Sequence, residues 1–285
     1  MKHLTFLVLY AIANAAGSEM ELARLLPADA TWACGVNVDQ LKSSPSGRVL
    51  LSWGVPAEFR TRAGGGLDAW SDVSELLIVG RASHVGTVVI VRGVFNDLGK
   101  LDRIRAAKTT SAYRNVTVSH VDPEPESTLW TAQLGEFAVV GPKEEIRKMI
   151  DRLVSNRQEG NPRLFARIED SRNRHIIWGA SIGGFSMESY FPGWRGGKIA
   201  FDLGILVRCV AEIEVDSTGN ALLVLAMLEK EIAESKERGE HNTLYEAARL
   251  GLGESKVVFD VSLAAEDFEK WITSERPNLM DFLLR

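Results

Sequence analysis

The chain has 285 residues, of which 45% are hydrophobic and 25% charged, and its formal net charge is −5. This composition is that of an ordinary globular protein with enough apolar side chains for a sizeable core. The acidic balance disfavours nucleic acid and anionic membrane surfaces as partners, because proteins that bind them usually carry a basic face.

The first 16 residues predict a signal peptide. Lys2 supplies the positive start, residues 4–13 form an apolar run, and Ala13-Asn14-Ala15 has the small-x-small pattern of a cleavage site. The alternative is a buried first strand or helix. The run is too short for a membrane span, which needs about 20 apolar residues, and no later stretch reaches that length. We therefore expect a soluble exported protein, periplasmic or extracellular.

Beyond this leader, the hydrophobic periodicity predicts alternating strands and helices. The predicted strands are 32–38, 75–81, 87–94, 116–121, 129–134, 137–140, 175–182, 205–215 and 256–263. Helices are predicted at 19–26 and 39–53, from Asn96, from Pro142 (with Glu144 four residues before Lys148), and after 216 and 263. The strand over 205–215 alternates apolar and polar side chains, which predicts one face on a core and one in water.

The polar, turn-rich stretch 156–162 predicts an internal boundary. It divides the mature chain into 17–156 and 157–285, and the strand at 175–182 can be aligned with the strand that begins at Trp32. We therefore expect an α+β fold of two similar halves, each a mainly antiparallel sheet with helices packed on one face.

Three short motifs carry a resemblance to known proteins. They are Leu26-Pro27-Ala28-Asp29-Ala30, Val91-Arg92-Gly93-Val94-Phe95-Asn96 and Val139-Val140-Gly141. In these motifs the chain resembles a group of uncharacterised exported bacterial proteins with two related α+β halves behind a signal peptide. The resemblance implies a fold and a compartment, and it implies no activity.

Two cysteines, Cys34 and Cys209, each fall on the apolar side of a predicted strand. Export would permit a disulfide between them. Free cysteine is among the most buried residue types, so we expect two core thiols that do not meet.

The sequence Gly179-Ala180-Ser181-Ile182-Gly183 matches the nucleophile elbow of serine hydrolases, and Asp202, Asp216 and His241 follow in the order that such enzymes use. The elbow also needs a helix directly after the serine, and Gly183-Gly184 and Pro192 leave little room for one. We therefore expect Ser181 to be a strand residue without a catalytic role, and we keep a serine hydrolase as an alternative.

Other chemical motifs are absent from the sequence. There is no His-Glu-x-x-His zinc helix and no Ser-x-x-Lys pair, and Gly197-Lys198 lacks the rest of a phosphate-binding loop. The histidines beyond the leader have no metal-ligand spacing; they are His84, His120, His175 and His241. The sequence thus predicts no metal and no cofactor.

The stretch 187–195 carries three aromatic side chains and an arginine around a turn, namely Tyr190, Phe191, Trp194 and Arg195. If exposed, they could stack on a sugar or anchor a peptide; otherwise they pack over the core. The sequence as a whole predicts a non-enzymatic binding or scaffolding module with an unknown protein or glycan partner. A glycan or small-ligand binder that uses this loop is an alternative.

Overall fold

The computed structural model describes residues 22–52, 73–82, 86–93, 110–120, 129–157, 159–183, 187, 190–239 and 242–275. Within these ranges twelve strands form one open antiparallel sheet in the order β11-β12-β10-β9-β8-β1-β2-β3-β7-β6-β5-β4. The strands are β1 (Trp32–Asn37), β2 (Val73–Gly80), β3 (Val88–Gly93), β4 (Thr110–Tyr113), β5 (Val116–His120), β6 (Leu129–Leu134), β7 (Phe137–Pro142), β8 (Ile177–Ser181), β9 (Trp194–Leu203), β10 (Leu206–Val215), β11 (Ala248–Leu252) and β12 (Lys256–Ala264). The helices are α1 (Val38–Ser43), α2 (Pro45–Ser52), α3 (Lys143–Ser155), α4 (Pro162–Arg172), α5 (Thr218–Arg238), α6 (Asn242–Ala247) and α7 (Ala265–Glu275).

Strand β1 joins the two parts of the sheet. It pairs antiparallel with β2 on one side and with β8 on the other, so that Gly35 lies opposite Leu77 in β2 and Trp178 in β8. The strand order of the second part, β8-β9-β10-β12-β11, repeats that of β1-β2-β3-β7-β6, and β4 and β5 extend the first part. The two predicted halves thus share one continuous sheet, and their bounds as domains stay a prediction.

The described helices cover opposite faces of the sheet in its two parts. Helices α3 and α4, with residues 22–26, pack on the face that carries Leu77, Val139 and Trp178. The other face of the β9–β12 part packs against α7 through Phe268 and Trp271 and against α5. Each helix layer therefore buries a different side of the same sheet, which strands β1 and β8 connect.

Strand β10 has the two-sided character that its sequence predicts. Val207 and Cys209 are buried, whereas Arg208 is exposed and pairs with Asp260 of β12 at 2.6 Å. Ser217 then caps α5, since its side chain accepts a hydrogen bond from the Asn220 amide. The strand and the start of the helix lie where the sequence predicts them.

The α+β class and the antiparallel sheet are confirmed. The strands β4, β9 and β11 and the helices α4 and α6 were not predicted from the sequence. Pro142 ends β7 in an extended conformation, so that α3 begins at Lys143 rather than at the proline. The signal peptide, the loops at 60–70 and 122–126 and the helix from Asn96 fall outside the described residues.

Both cysteines are free, as predicted. Two strands, β8 and β9, separate β1 from β10 in the sheet. At about 4.8 Å between neighbouring strands, this places Cys34 and Cys209 about 14 Å apart across the sheet, twice the reach of a disulfide. Burial raises the pKa of Cys34 to about 11 and that of Cys209 to about 12.

None of the helices in the described ranges is both long enough and apolar enough to cross a membrane.

Candidate functional site

One face of α3 lines a charged concave surface, which we call the α3 groove. Its volume is about 640 Å³, within the range of small-molecule sites. Glu145, Lys148, Arg152 and Ser155 recur every three or four residues along the helix and therefore share this face. Asp151 of the same helix also lines the groove, and the other lining residues come from four further parts of the chain: Ala28 and Asp29, Arg81, Arg114, and Arg157 with Glu159.

Arg81, just after β2, is held between two carboxylates at one end of the groove. Its Nε lies 2.5 Å from Asp29 Oδ2, and its Nη2 lies 2.9 Å from Glu145 Oε2. The hydrogen bond from Arg81 lowers the pKa of Asp29. Burial alone would raise the pKa of Glu145, but the hydrogen bonds from Arg81 and Lys148 outweigh it and lower that pKa. Both carboxylates are thus ionised and engaged at neutral pH.

The turn between β4 and β5 closes another side of the groove. Asp151 of α3 accepts hydrogen bonds of 3.0 Å from the Tyr113 hydroxyl and lies 2.6 Å from Arg114 Nε. Arg147 also lies over the Tyr113 ring, 5.3 Å from its centre. The Asp151 carboxylate is therefore already occupied by a hydroxyl and a guanidinium.

Arg152 is the most buried cation of the groove, with 5% of its surface exposed. Its Nε donates to the Arg24 carbonyl at 2.8 Å, and its Nη2 donates to the Leu25 carbonyl at 3.3 Å. These bonds satisfy carbonyls at the end of the helical turn 22–25. Burial lowers the pKa of Arg152, which means that removing this charged guanidinium from water is electrostatically unfavourable.

No motif in the sequence indicates this groove. The spacing of Glu144 four residues before Lys148 favours a contact between these two side chains, whereas Lys148 pairs with Glu145 at 3.0 Å and Arg147 with Glu144 at 2.9 Å. The available signal was the charged row Glu145, Lys148 and Arg152 at helical spacing beside the apolar row of α3.

The four aromatic-loop candidates separate into core and surface residues. Trp194 is 8% exposed, and its ring stacks on Phe191 with 6.1 Å between ring centres. Phe191 also packs against the start of α5. Tyr190 is 58% exposed, and Arg195 is exposed as well. A ligand role for this loop stays a prediction, and its geometry leaves Tyr190 and Arg195 as the side chains within reach of a ligand.

Ser181 is the last residue of β8, as the sequence analysis expects. It pairs with Trp32 of β1 and with Gly197 of β9. Its hydroxyl donates to the Gly183 carbonyl at 3.4 Å, and its own carbonyl accepts a 2.6 Å hydrogen bond from Arg167 Nη1. A nucleophile elbow needs a serine on a turn that opens a helix, and the described residues here are strand and bend.

The acidic residues of the hydrolase alternative have other partners. Asp202 lies 3.0 Å from His175 Nδ1, and Asp216 accepts a 2.7 Å hydrogen bond from the Asn220 side chain. His241 falls outside the described residues, as does His84. His120 lies edge-on to Trp130, with ring centres 5.1 Å apart. In the described part of the chain no three His, Cys, Asp or Glu side chains cluster as metal ligands do.

A second surface of interest is apolar and lies on helix α5; it consists of Leu222, Leu223 and Met227, and we call it the α5 row. Leu222, Leu223 and Met227 are 51%, 55% and 46% exposed, whereas Ala221 and Val224, which alternate with them along the helix, are buried. Residues 223 and 227 are neighbours at i and i+4. The helix is thus apolar on both sides over its first turns and charged on its exposed side after them.

These features define an α+β protein with one open antiparallel sheet, a charged groove on one helix and an apolar row on another. Solved structures of the treponemal protein TP0453, in crystal forms I, III and IV, are similar to this chain. Their TM-scores are 0.51, 0.53 and 0.52, with 10, 11 and 12% sequence identity. The match covers 88% of this chain and 96 to 97% of TP0453. At this identity the likeness concerns the fold alone.

No protein-family model matches the chain, and no curated protein matches it by sequence.

Proposed function

We propose that this is an exported, non-enzymatic binding module that works by contact with another protein. The observation that carries the proposal is the α5 row. Single exposed leucines are common on soluble proteins, but three large exposed apolar side chains within two turns of one helix are typical of an interaction surface. A helix that presents an apolar face is a recurring element of protein recognition.

Charge favours a protein as the partner. The α5 row continues into Glu229, Lys230 and Glu231, which carry both signs and are exposed, and the chain is acidic overall. Anionic lipid and nucleic acid are attracted by clustered positive charge, which this helix does not offer. An apolar surface with a mixed charged rim is typical of protein interfaces.

A matched pair of variants tests the α5 row. The first changes Leu222, Leu223 and Met227 to Ser, and the control changes the exposed residues Lys236 and Glu237 near the end of the same helix to Ser. We expect the wild-type protein and the control to retain the same partner from the exported fraction of the source cells, and the first variant to lose it. Equal retention by all three proteins would exclude the α5 row as the contact.

Two further measurements test the export and the absence of catalysis. N-terminal sequencing of the protein purified from its source should begin near residue 17, and an intact Met1 would contradict export. A fluorophosphonate probe should leave the folded protein unlabelled. Labelling that is abolished by Ser181→Ala would instead support the serine hydrolase alternative. Turnover in a broad hydrolase and transferase screen, lost on one side-chain change, would overturn the proposal.

The exposed residues of the aromatic loop offer a separate test of the glycan alternative. Tyr190→Ala with Arg195→Ala removes both exposed side chains while leaving the buried Trp194 in place. Loss of binding on a glycan array in this variant would support a sugar site at residues 187–195.

A further inference from the structure

Some of the cationic side chains of the α3 groove form ion pairs with carboxylates, and others do not. Five cationic and four anionic side chains line it, although the whole chain is acidic. Arg81, Lys148 and Arg114 each pair with at least one carboxylate. Among the described residues, Arg152 and Arg157 have no carboxylate within salt-bridge distance. The groove thus holds positive charge that its own carboxylates do not neutralise at close range.

Arg152 is a buried residue whose guanidinium is hydrogen-bonded to the backbone. Two of its three guanidinium nitrogens donate to the carbonyls of Arg24 and Leu25, which fixes the plane of the group. In the described part of the chain, Nη1 has no acceptor paired with it, while the residue lines the groove. A guanidinium fixed in this way is preorganised to bind an oxyanion through the N–H groups that the two carbonyls leave over, chiefly those of Nη1.

Arg157 stands close to Arg152 in the chain. After the left-handed Asn156 that ends α3, the Arg157 amide donates to the Arg152 carbonyl at 3.0 Å. The Arg157 side chain lines the same groove and is exposed. The Arg152 guanidinium is therefore fixed in the side of the groove, whereas the exposed Arg157 side chain can move toward a ligand from solvent.

The carboxylates of the groove leave room for an anion. Asp29, Glu145 and Asp151 are engaged by Arg81, Lys148, Arg114 and Tyr113, as described above. Glu159 is the remaining acidic side chain, and it has no cation within salt-bridge distance among the described residues. It lines the same groove and acts on Arg152 at a distance, as Glu145 and Asp29 also do, so it opposes an incoming anion at long range.

We propose that the α3 groove binds a small molecule through a carboxylate or phosphate group held between Arg152 and Arg157. The groove volume of about 640 Å³ accommodates a metabolite-sized ligand around that group. The site is separate from the α5 row, since α3 and α5 lie on opposite faces of the sheet. It does not depend on the proposed contact with a protein.

Titration of the full mature protein with inorganic phosphate and with succinate, followed by amide NMR at constant ionic strength with chloride as the balancing anion, tests the site. We expect saturable shifts at residues 145–159 with at least one probe, and the tighter probe identifies the oxyanion class. Shifts that do not saturate, or that fall elsewhere on the chain, would overturn the proposal.

Variants of exposed residues give the sharper test because they do not disturb the core. Arg157→Gln should weaken binding about tenfold through loss of a charge-assisted hydrogen bond. Glu159→Gln should strengthen it about threefold by removing a like charge. Arg163→Gln, an exposed arginine on α4 outside the groove, should leave affinity unchanged. Equal affinities for Arg157→Gln and Arg163→Gln would contradict the assignment.

Arg152 is tested by Arg152→Lys, which keeps the charge but loses the planar fork of donors. Near-UV circular dichroism establishes that this variant is folded before its affinity is measured. Weaker binding in the folded variant supports the role of the guanidinium, and unchanged binding contradicts it. If the variant does not fold, the opposite effects of Arg157→Gln and Glu159→Gln still decide the proposal.

Discussion

Trp178 lies directly opposite Gly35 across the β8–β1 pair, and its indole ring covers the glycine. A Cβ added at Gly35 would lie 2.4 Å from Cζ2 of that ring, which is closer than real Cβ contacts. Trp32 covers Gly80 of β2 in the same way at 2.4 Å. Strand β1 therefore packs against each of its neighbours through a tryptophan–glycine pair: Trp178 of β8 fills the space over Gly35, and Trp32 of β1 fills the space over Gly80.

Gly35→Ala tests this packing. Trp178 is 1% exposed and has no room to move away, so the added methyl group should lower the free energy of unfolding by about 1–3 kcal/mol. Chemical denaturation followed by tryptophan fluorescence measures the change. Gly251→Ala is the control, since its Cβ would meet Val258 at an ordinary 3.8 Å, and a similar loss there would show that any strand glycine is needed.

A second prediction concerns the buried ion pair between Glu75 of β2 and Arg172 of α4. The two side chains are 12% and 10% exposed, and Arg172 Nη2 lies 2.7 Å from Glu75 Oε2. Glu75→Leu leaves a buried guanidinium without its partner and should cost about 3–5 kcal/mol of unfolding free energy.

The double variant Glu75→Leu, Arg172→Met removes both charges. It should recover most of the loss, because well-packed apolar side chains replace a buried pair at little cost. A double-mutant cycle from urea denaturation measures the coupling. Additive losses would mean that the two side chains act independently.

The third prediction concerns acid. The folded-state pKa of Glu145 is lowered, so its contribution to stability is complete above the unfolded-state pKa of about 4.3 and is lost as the pH falls through the folded-state value. Glu145→Gln should therefore lower stability at pH 7 and flatten the fall in stability below about pH 5. Thermal unfolding from pH 7 to pH 2 measures both effects. Glu144→Gln on the same helix, where the side chain is 71% exposed, should keep the wild-type profile.

The fourth prediction concerns the thiols. With pKa values of about 11 and about 12, both cysteines are almost entirely protonated at pH 8, and the thiolate is the reactive form. Ellman's reagent should detect neither thiol in the folded protein within the time that a free cysteine needs to react. Two thiols should appear after denaturation without reductant, and their absence from a monomer would mean that they are bridged.

The sequence predicts the fold where one face of an element is buried and the other exposed. Strand β10 is such a case, because its apolar and charged residues alternate. Strand β9 was missed because Gly196 and Gly197 interrupt its pattern. The structure shows why position 197 is a glycine. A Cβ at Gly197 would lie 2.4 Å from the Glu212 carbonyl oxygen and 2.9 Å from the Trp194 ring. That ring belongs to the stretch 187–195, for which the sequence leaves both exposure and packing over the core open.

The α3 groove could not be predicted in the same way. Its residues come from positions 28–29, 81, 114 and 145–159, and they meet only because β2, the β4–β5 turn and α3 are brought together by the sheet. Periodicity reports which face of one element is buried. It does not report which charges from distant elements share a concave surface.

The position of β1 in the sheet has a consequence for how the chain acquires its structure. Gly35 and Trp178, which pair directly, are 143 residues apart, and closing so long a loop costs chain entropy before any contact repays it. Pairings of this separation are associated with slow folding. Strand β1 should thus remain half paired until β8 emerges, and a chain halted before residue 177 would present a bare edge of β1 to any other molecule nearby.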